Sequence, residues 1–154
     1  SLGVPGDRLA DVLARFHGEA DARDIEHVVI AIGLNDAPHL DDTGAAVPGT
    51  DPHTFRLQYD ALLEKAFRFT QDVVLLGLTN VDEGLAHGWS NASIGHYDAL
   101  VRSIAERHGL PFLDPFGSLD ATDLQIDGVH PGPSGHRKLH DLVADRVLPQ
   151  WRTM

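Results

Sequence analysis

The chain contains no cysteine among its 154 residues, and that absence excludes several kinds of chemistry. Thiol catalysis, cysteine-bound zinc and disulfide bonds all require this residue. A protein without cysteine is compatible with either side of a cell membrane, so the composition leaves the compartment open. No secretory signal peptide is recognisable, which favours the cytoplasm.

Basic residues are scarce, and long apolar runs are lacking. Twelve Lys and Arg stand against 23 Asp and Glu, which gives a formal net charge of −11 with the histidines neutral. Such a charge repels the phosphates of nucleic acids and of anionic membrane surfaces. No apolar run approaches the roughly 18 residues that a membrane span needs. We therefore expect neither a nucleic-acid partner nor a membrane span.

Short apolar runs alternate with amphipathic segments along the chain. Continuous runs rich in β-branched residues predict buried strands at 27–32, 72–79 and 110–114. Apolar residues at helical spacing predict helices over 7–16 with Asp7 as the cap, over 55–67, from 90 to 109 and from about 134 to 148. This order favours an α/β fold, a three-layer α/β/α sandwich with a parallel sheet, in a single domain over residues 1–154.

Three polar, glycine-rich segments lie where the strands of such a sheet end, or close by. They are residues 3–7 before the first helix, residues 33–36 after the first strand, and residues 127–130 before the last helix. In open α/β sheets, ligands bind beyond the carboxyl ends of the strands. The sequence therefore predicts a functional site formed by these three segments.

Asp127 and His130 form the first candidate pair. A carboxylate that binds the Nδ1–H of a histidine fixes its tautomer and makes the other ring nitrogen a useful general base. The spacing, with Gly128 between them, allows Asp127 to reach back to the ring, and Pro131 favours an extended His130. The plainer alternative is a turn-forming aspartate followed by a surface histidine, which the pair alone does not exclude.

Asn35 and Gly6 are candidates for stabilising negative charge. The amide of an asparagine beyond a strand can donate to a developing oxyanion, and one such donor contributes about 3 kcal/mol. A glycine just before a helix can expose its backbone N–H to an anion. Each has a plain alternative, because asparagine after glycine is a common turn former and glycine is common in loops.

Together, the three segments resemble three of the four sequence blocks of the SGNH (GDSL-like) hydrolase family. Gly6 lies in Gly-Val-Pro-Gly-Asp, Asn35 in Gly-Leu-Asn-Asp, and Asp127 and His130 in Asp-Gly-Val-His-Pro, in the family's order. The resemblance implies a flavodoxin-like sheet and a GDSL-type esterase or lipase without cofactor or metal. It also implies that His130 is the general base and acid, that Asp127 orients it, and that the Gly6 N–H and the Asn35 amide are two of three oxyanion-hole donors.

The fourth block, Gly-Asp-Ser with the nucleophilic serine, does not occur in the sequence. The family places it upstream on the first strand of the sheet, so we expect a βαβ unit of about 30 residues or more before Ser1 and an N-terminally incomplete domain. Another segment or another chain would supply that strand. Without it, the first strand seen here would be an open sheet edge prone to aggregation or strand exchange, exposing Val28, Val29, Ile30 and Ile32.

The serines of the chain are poor replacements for that nucleophile. Ser90 and Ser93 lie at a predicted helix start, where capping explains them, and Ser103 and Ser118 belong to no motif. Ser134 is near the predicted general base in sequence, but it also begins the last predicted helix. The nucleophile is therefore expected upstream of this chain.

The sequence thus predicts that the complete protein hydrolyses a small-molecule ester through an acyl-enzyme. A carboxylester, a thioester and a sugar O-acetyl ester are all compatible with the resemblance. The alternative is a non-catalytic domain of the same fold that lacks a nucleophile and only binds a small molecule.

Metal-dependent hydrolysis through Asp127, His130 and the histidines of the last predicted helix is a further alternative. His136 and His140 stand four residues apart on the last predicted helix, a spacing that can bind zinc, but arginine replaces the glutamate of the His-Glu-x-x-His motif. A solvent-exposed helix face is the plainer interpretation. The acidic residues of the loop 33–52 match no calcium-binding pattern, and Trp89 either lines a substrate pocket or packs between loop and helix.

Overall fold

Four helices and five short strands make up the described part of the chain, which is residues 3–41 and 43–151 of a computed structural model. The helices are α1 (Leu9–Asp21), α2 (Pro52–Ala66), α3 (Asn91–His108) and α4 (Pro133–Trp151). The strands are β1 (Val28–Ile30), β2 (His39–Leu40), β3 (Ala46–Val47), β4 (Val73–Leu76) and β5 (Phe112–Leu113). Within those residues, no helix is both long and apolar enough to cross a membrane.

Strands β1, β4 and β5 form the central sheet in that order, and both pairings are parallel. Val73 and Leu75 of β4 belong to the larger apolar core, which includes residues of α1, α2 and α3. Val74 and Leu76 pack in a second cluster with Val147 of α4. Because side chains alternate between the two faces of a strand, helices cover both faces of the sheet. The predicted α/β/α architecture is confirmed.

Local capping explains where α2 and α3 begin and end. Asp51 accepts two backbone N–H groups from the first turn of α2, and Ser90 accepts the Ser93 N–H at the start of α3. Gly109 ends α3 in the left-handed conformation with φ 65°, which glycine adopts without steric cost. The predicted start and end of α3 are confirmed.

The prediction that Asp7 caps α1 is wrong. The residue in the N-cap position is Arg8, whose backbone N–H donates to the carboxylate of Asp11 at 2.9 Å. The Asp7 carboxylate instead forms an ion pair with Arg15, two turns further along α1. The Asp7 carboxylate, which the sequence pattern assigned to the start of α1, therefore binds Arg15 instead.

The loop 33–52 contains a small hairpin that was not predicted. Strands β2 and β3 pair antiparallel, and the carboxylate of Asp41 accepts the N–H groups of Thr43 and Ala45 in the turn between them. A 3-10 turn at Leu34–Asp36 precedes the hairpin. Strands of two residues are too short to show an alternating pattern, so only the turn-forming residues were visible in the sequence.

β1 lies at the edge of the central sheet, as predicted. In the part of the chain that the structure describes, it pairs only with β4, and the Val28 N–H donates to the carbonyl of Asp72 on that side. Because hydrogen-bonding groups alternate along a strand, the N–H and C=O of Val29 face the unpaired side. The exposed apolar edge is smaller than predicted: Ile30 is buried at 5% exposure, whereas Val28, Val29 and Ile32 are half-buried.

Candidate active site

Asp127 and His130 lie together in the loop before α4. Their Oδ2 and Nδ1 atoms are 2.6 Å apart, and the other carboxylate oxygen accepts the backbone N–H groups of His130 and Val129. The N–H of His130 first, and then that of Val129, lower the pKa of Asp127 from its ordinary 3.8 to about 2. An ionised carboxylate can only accept, so this contact pairs it with an Nδ1–H, and in the neutral imidazole the free lone pair is then on Nε2.

Main-chain bonds close the loop that carries this pair. The Gln125 N–H donates to the His130 carbonyl at 2.7 Å, and the Asp82 N–H donates to the Gly128 carbonyl at 2.8 Å. Gly128 has φ 70°, and a Cβ at this position would lie 2.7 Å from the Cβ of Leu85. Both the backbone conformation and the packing therefore favour glycine here. The adjacent segment 82–86 therefore fixes one side of the loop.

A buried carboxylate ties the same loop to α4. Asp123, which is 3% exposed, accepts a hydrogen bond from Nζ of Lys138 and another from the Asp120 N–H. The bond from Lys138 is the main reason that the pKa of Asp123 lies well below its ordinary value. The Asp123 carbonyl also accepts the Gly132 N–H at 2.6 Å. Sequence reasoning missed this pair, because its members are 15 residues apart and belong to no recognised motif.

Asn35 and Gly6 lie on loops that are in direct contact. Val4, Pro5, Gly6 and Asp7 form a tight turn in which the Asp7 N–H donates to the Val4 carbonyl, with Gly6 at φ 81°; a Pro-Gly pair favours this geometry. Nδ2 of Asn35 donates to the carbonyl of Asp7 at 2.9 Å. In the described residues, the second Nδ2 hydrogen and the Gly6 N–H have no acceptor. Both can therefore donate a hydrogen bond to another group.

One groove is lined by residues of the Asn35 loop, of the Gly6 turn and of the loop that carries His130. It has a volume of about 570 Å³ and runs along the unpaired side of β1, between side chains of α1, β1, β4 and α4. Asn35 and Asp7 line it, and so does Pro131, which follows His130 in the chain. The structure thus brings the Asn35 loop into contact with the Gly6 turn and places the His130 loop at the same groove.

The other sequence candidates make different contacts. The Ser134 hydroxyl donates to the carbonyl of Thr122 at 3.1 Å. Trp89 stacks on His39 with ring centroids 4.1 Å apart, so it packs against the β2–β3 hairpin. His136 and His140 are exposed on α4. Across residues 3–41 and 43–151, no group of three or more His, Asp or Glu side chains is placed to bind a metal ion.

A parallel sheet with helices on both faces, with these loops gathered at its edge, is the fold of the SGNH hydrolases. A model of the GDSL-like Lipase/Acylhydrolase family matches residues 1–138, and the chain belongs to that family. The family and the similar structures support ester hydrolysis as the general chemistry. Among curated proteins, none matches the chain by sequence.

Several solved structures share the fold. A lipase/acylhydrolase from Enterococcus faecalis is 23% identical with a TM-score of 0.77, over 94% of this chain and 72% of its own. The acetyl xylan esterase AlAXEase is 24% identical with the same TM-score, over 94% of this chain and 78% of its own. The acetylxylan esterase Axe2 from Geobacillus stearothermophilus is 19% identical with a TM-score of 0.69, over 91% of this chain and 67% of its own. Part of each neighbour therefore has no counterpart here.

Proposed function

We propose that this chain forms the acid–base and oxyanion parts of a serine-type esterase that works through an acyl-enzyme. The nucleophilic serine then lies on a strand that pairs with the free side of β1. One observation carries the proposal: the Asn35 loop, the Gly6 turn and the His130 loop border a single groove, and that groove follows the unpaired side of β1. A parallel strand in the groove would end beside all three loops.

The proposed reaction begins when the serine Oγ attacks the ester carbonyl carbon and Nε2 of His130 takes the hydroxyl proton. The C=O electron pair moves to the oxygen, whose charge the Gly6 N–H and the Asn35 amide stabilise. The C=O bond then re-forms, the C–O bond to the leaving group (C–S in a thioester) breaks, and the alcohol or thiol leaves with the proton from His130. Water attacks the acyl-enzyme with help from the same base and releases the acid and the free serine. Asp127 stabilises the imidazolium in both halves.

The exposure of His130 and Asp127 also supports the proposal that a further segment occupies the groove. The side chains of His130 and Asp127 are 67% and 45% exposed. Water competes for hydrogen bonds at an open site and weakens its electrostatic interactions. A strand bound in the groove, with the turn that follows it, would cover part of this surface and bring the serine to Nε2.

The substrate is proposed to be a small carboxylester, thioester or sugar O-acetyl ester. Two of the similar structures are named as acetylxylan esterases, so acetylated sugars are the first class to test. Rates with p-nitrophenyl acetate, an acyl thioester and an acetylated xylo-oligosaccharide would separate the three classes.

Fluorophosphonate labelling of the full-length protein tests the proposal. We expect one serine outside residues 1–154 to be labelled, as located by mass spectrometry, and His130→Ala to slow the labelling. This chain alone should remain unlabelled. A label on Ser134 or another serine of the chain would overturn the assigned place of the nucleophile. Ligand binding without labelling or turnover would favour the non-catalytic binding domain instead.

A further inference from the structure

The carboxylate of Asp36 lies between the two loops that provide the amide donors, and it is fully buried. Its Oδ2 accepts the backbone N–H of Leu9 at 2.9 Å, and its Oδ1 accepts the Thr50 hydroxyl at 2.6 Å. The Asp36 carbonyl also accepts the Thr50 N–H at 2.8 Å. This one residue is therefore bonded both to the start of α1 and to the segment that leads into α2.

We propose that Asp36 is a positioning residue that fixes the Gly6 turn against Asn35 and so sets the spacing of the two oxyanion donors. Leu9 follows Gly6 by three residues, and Asp36 is the neighbour of Asn35. The bond from Leu9 to Asp36 consequently runs beside the bond from Asn35 Nδ2 to the Asp7 carbonyl. Two adjacent bonds restrain both the distance and the relative orientation of the loops, which one bond alone does not.

Electrostatics explains why a carboxylate suits this position. Leu9 is the first residue of α1, where backbone N–H groups lack partners within the helix and the helix dipole favours negative charge. Burial raises the pKa of Asp36, while the bonds from Thr50 and Leu9 and the nearby charge of Arg8 act in the opposite direction. A carboxylate offers two acceptors to two donors, whereas an asparagine would replace one acceptor with a donor.

Hydrogen exchange measured by NMR on the full-length protein tests this link. In Asp36→Ala, we expect the Leu9 amide and the Asn35 side-chain amide to exchange at least about tenfold faster than in the wild type. Asp36→Asn keeps one acceptor and should give intermediate rates. The matched control is Asp98→Asn, because Asp98 is also buried and accepts the Leu78 N–H at 2.8 Å, yet it bonds to neither loop.

Unchanged exchange at Asn35 in both Asp36 variants would overturn the proposal, and so would equal acceleration in Asp98→Asn. If Asp36→Ala does not fold, Thr50→Val removes one donor to the carboxylate and should accelerate exchange at Asn35 by a smaller factor; no acceleration there would count against the link.

The catalytic consequence rests on the proposed function and has a separate measurement. In the full-length enzyme, Asp36→Asn should lower kcat about tenfold with KM nearly unchanged, because only the transition state uses the spacing of the donors. Asp98→Asn should leave kcat close to that of the wild type. An inactive wild-type enzyme would contradict the proposed function, whereas the exchange rates would still decide the role of Asp36.

Discussion

At the scale of single residues, two carboxylates near the site show how position determines chemistry. Asp127 is exposed and accepts backbone N–H groups and an imidazole N–H, so its pKa falls to about 2. Asp36 is fully buried, and burial raises its pKa. The first is suited to stabilise a histidine that gains and loses a proton. The second is suited to bind backbone donors and to fix loops.

Substitution of the base and of one oxyanion donor should affect turnover to different degrees. In the full-length enzyme, His130→Ala should lower kcat by about 10³-fold, because it removes the general base and acid. Asn35→Ala should lower kcat by about 10²-fold, because one of several donors is lost. His136→Ala, on the exposed face of α4, is the control and should leave turnover unchanged. Steady-state rates near those of the wild type in either site variant would refute the assigned role.

The lowered pKa of Asp127 predicts how stability depends on acid. Its folded-state pKa of about 2 lies below the ordinary 3.8, so its contribution to stability is present above about pH 4 and is lost as the pH falls towards 2. Asp127→Asn should therefore show a shallower loss of stability between about pH 4 and pH 2. Urea unfolding at stepped pH measures this difference, and identical slopes for both proteins would contradict it.

Residues whose partners are near in sequence could be predicted, and residues with distant partners could not. Asp127 and His130 are three apart, so their contact follows from the spacing. Asp36 binds Leu9 from 27 residues away, and Asp123 binds Lys138 from 15 residues away. Those contacts depend on how α1 and α4 pack, which no local pattern contains. One feature of the sequence did point to Asp36, which directly follows Asn35 in Gly-Leu-Asn-Asp.

At the scale of elements, the loop of His130 depends on Gly128 for two separate reasons. Gly128→Ala would place a Cβ at φ 70° and 2.7 Å from Leu85. Gly117→Ala is the matched control, because Gly117 has φ 76° but open space around it. The control should lose about 1 kcal/mol from the backbone alone, and Gly128→Ala should lose about 1–3 kcal/mol more from overpacking. Equal losses in thermal unfolding would show that the loop adapts to the added methyl group.

Helices and strands could be predicted best where capping residues coincide with a regular spacing of apolar residues. α3 has both, with Ser90 at its start, Gly109 at its end and buried residues on one face. The β2–β3 hairpin has neither, because each strand has only two residues. β1 was predicted over 27–32 but pairs over Val28–Ile30. Its remaining apolar residues lack a partner strand in the described part of the chain, so they form no ladder.

At the scale of the whole molecule, the central sheet and the candidate site meet on one side of β1. The parallel pairing could be predicted from the alternation of strands and helices, and the edge position of β1 from the family resemblance. The groove could not be predicted, since its shape depends on how α1 and α4 are placed against the two faces of the sheet. The proposed strand would pair with β1 and complete the site in the same place.

Reconstitution from two pieces tests whether a strand that pairs with β1 completes the site. When this chain is mixed with a separately expressed upstream segment containing the proposed serine, fluorophosphonate labelling should appear.

Val29→Pro removes the N–H that faces the unpaired side of β1, while the bond from Val28 to Asp72 on the β4 side remains. Val29→Thr is the control, with a side chain of similar shape and the N–H retained. We expect Val29→Pro to reduce labelling at least about tenfold, because a ladder bond to the incoming strand is lost. Thermal unfolding of the two isolated variants should agree closely, so that the loss reports docking and not folding. If Val29→Pro supports labelling as well as Val29→Thr does, the serine reaches His130 by another route than a strand beside β1.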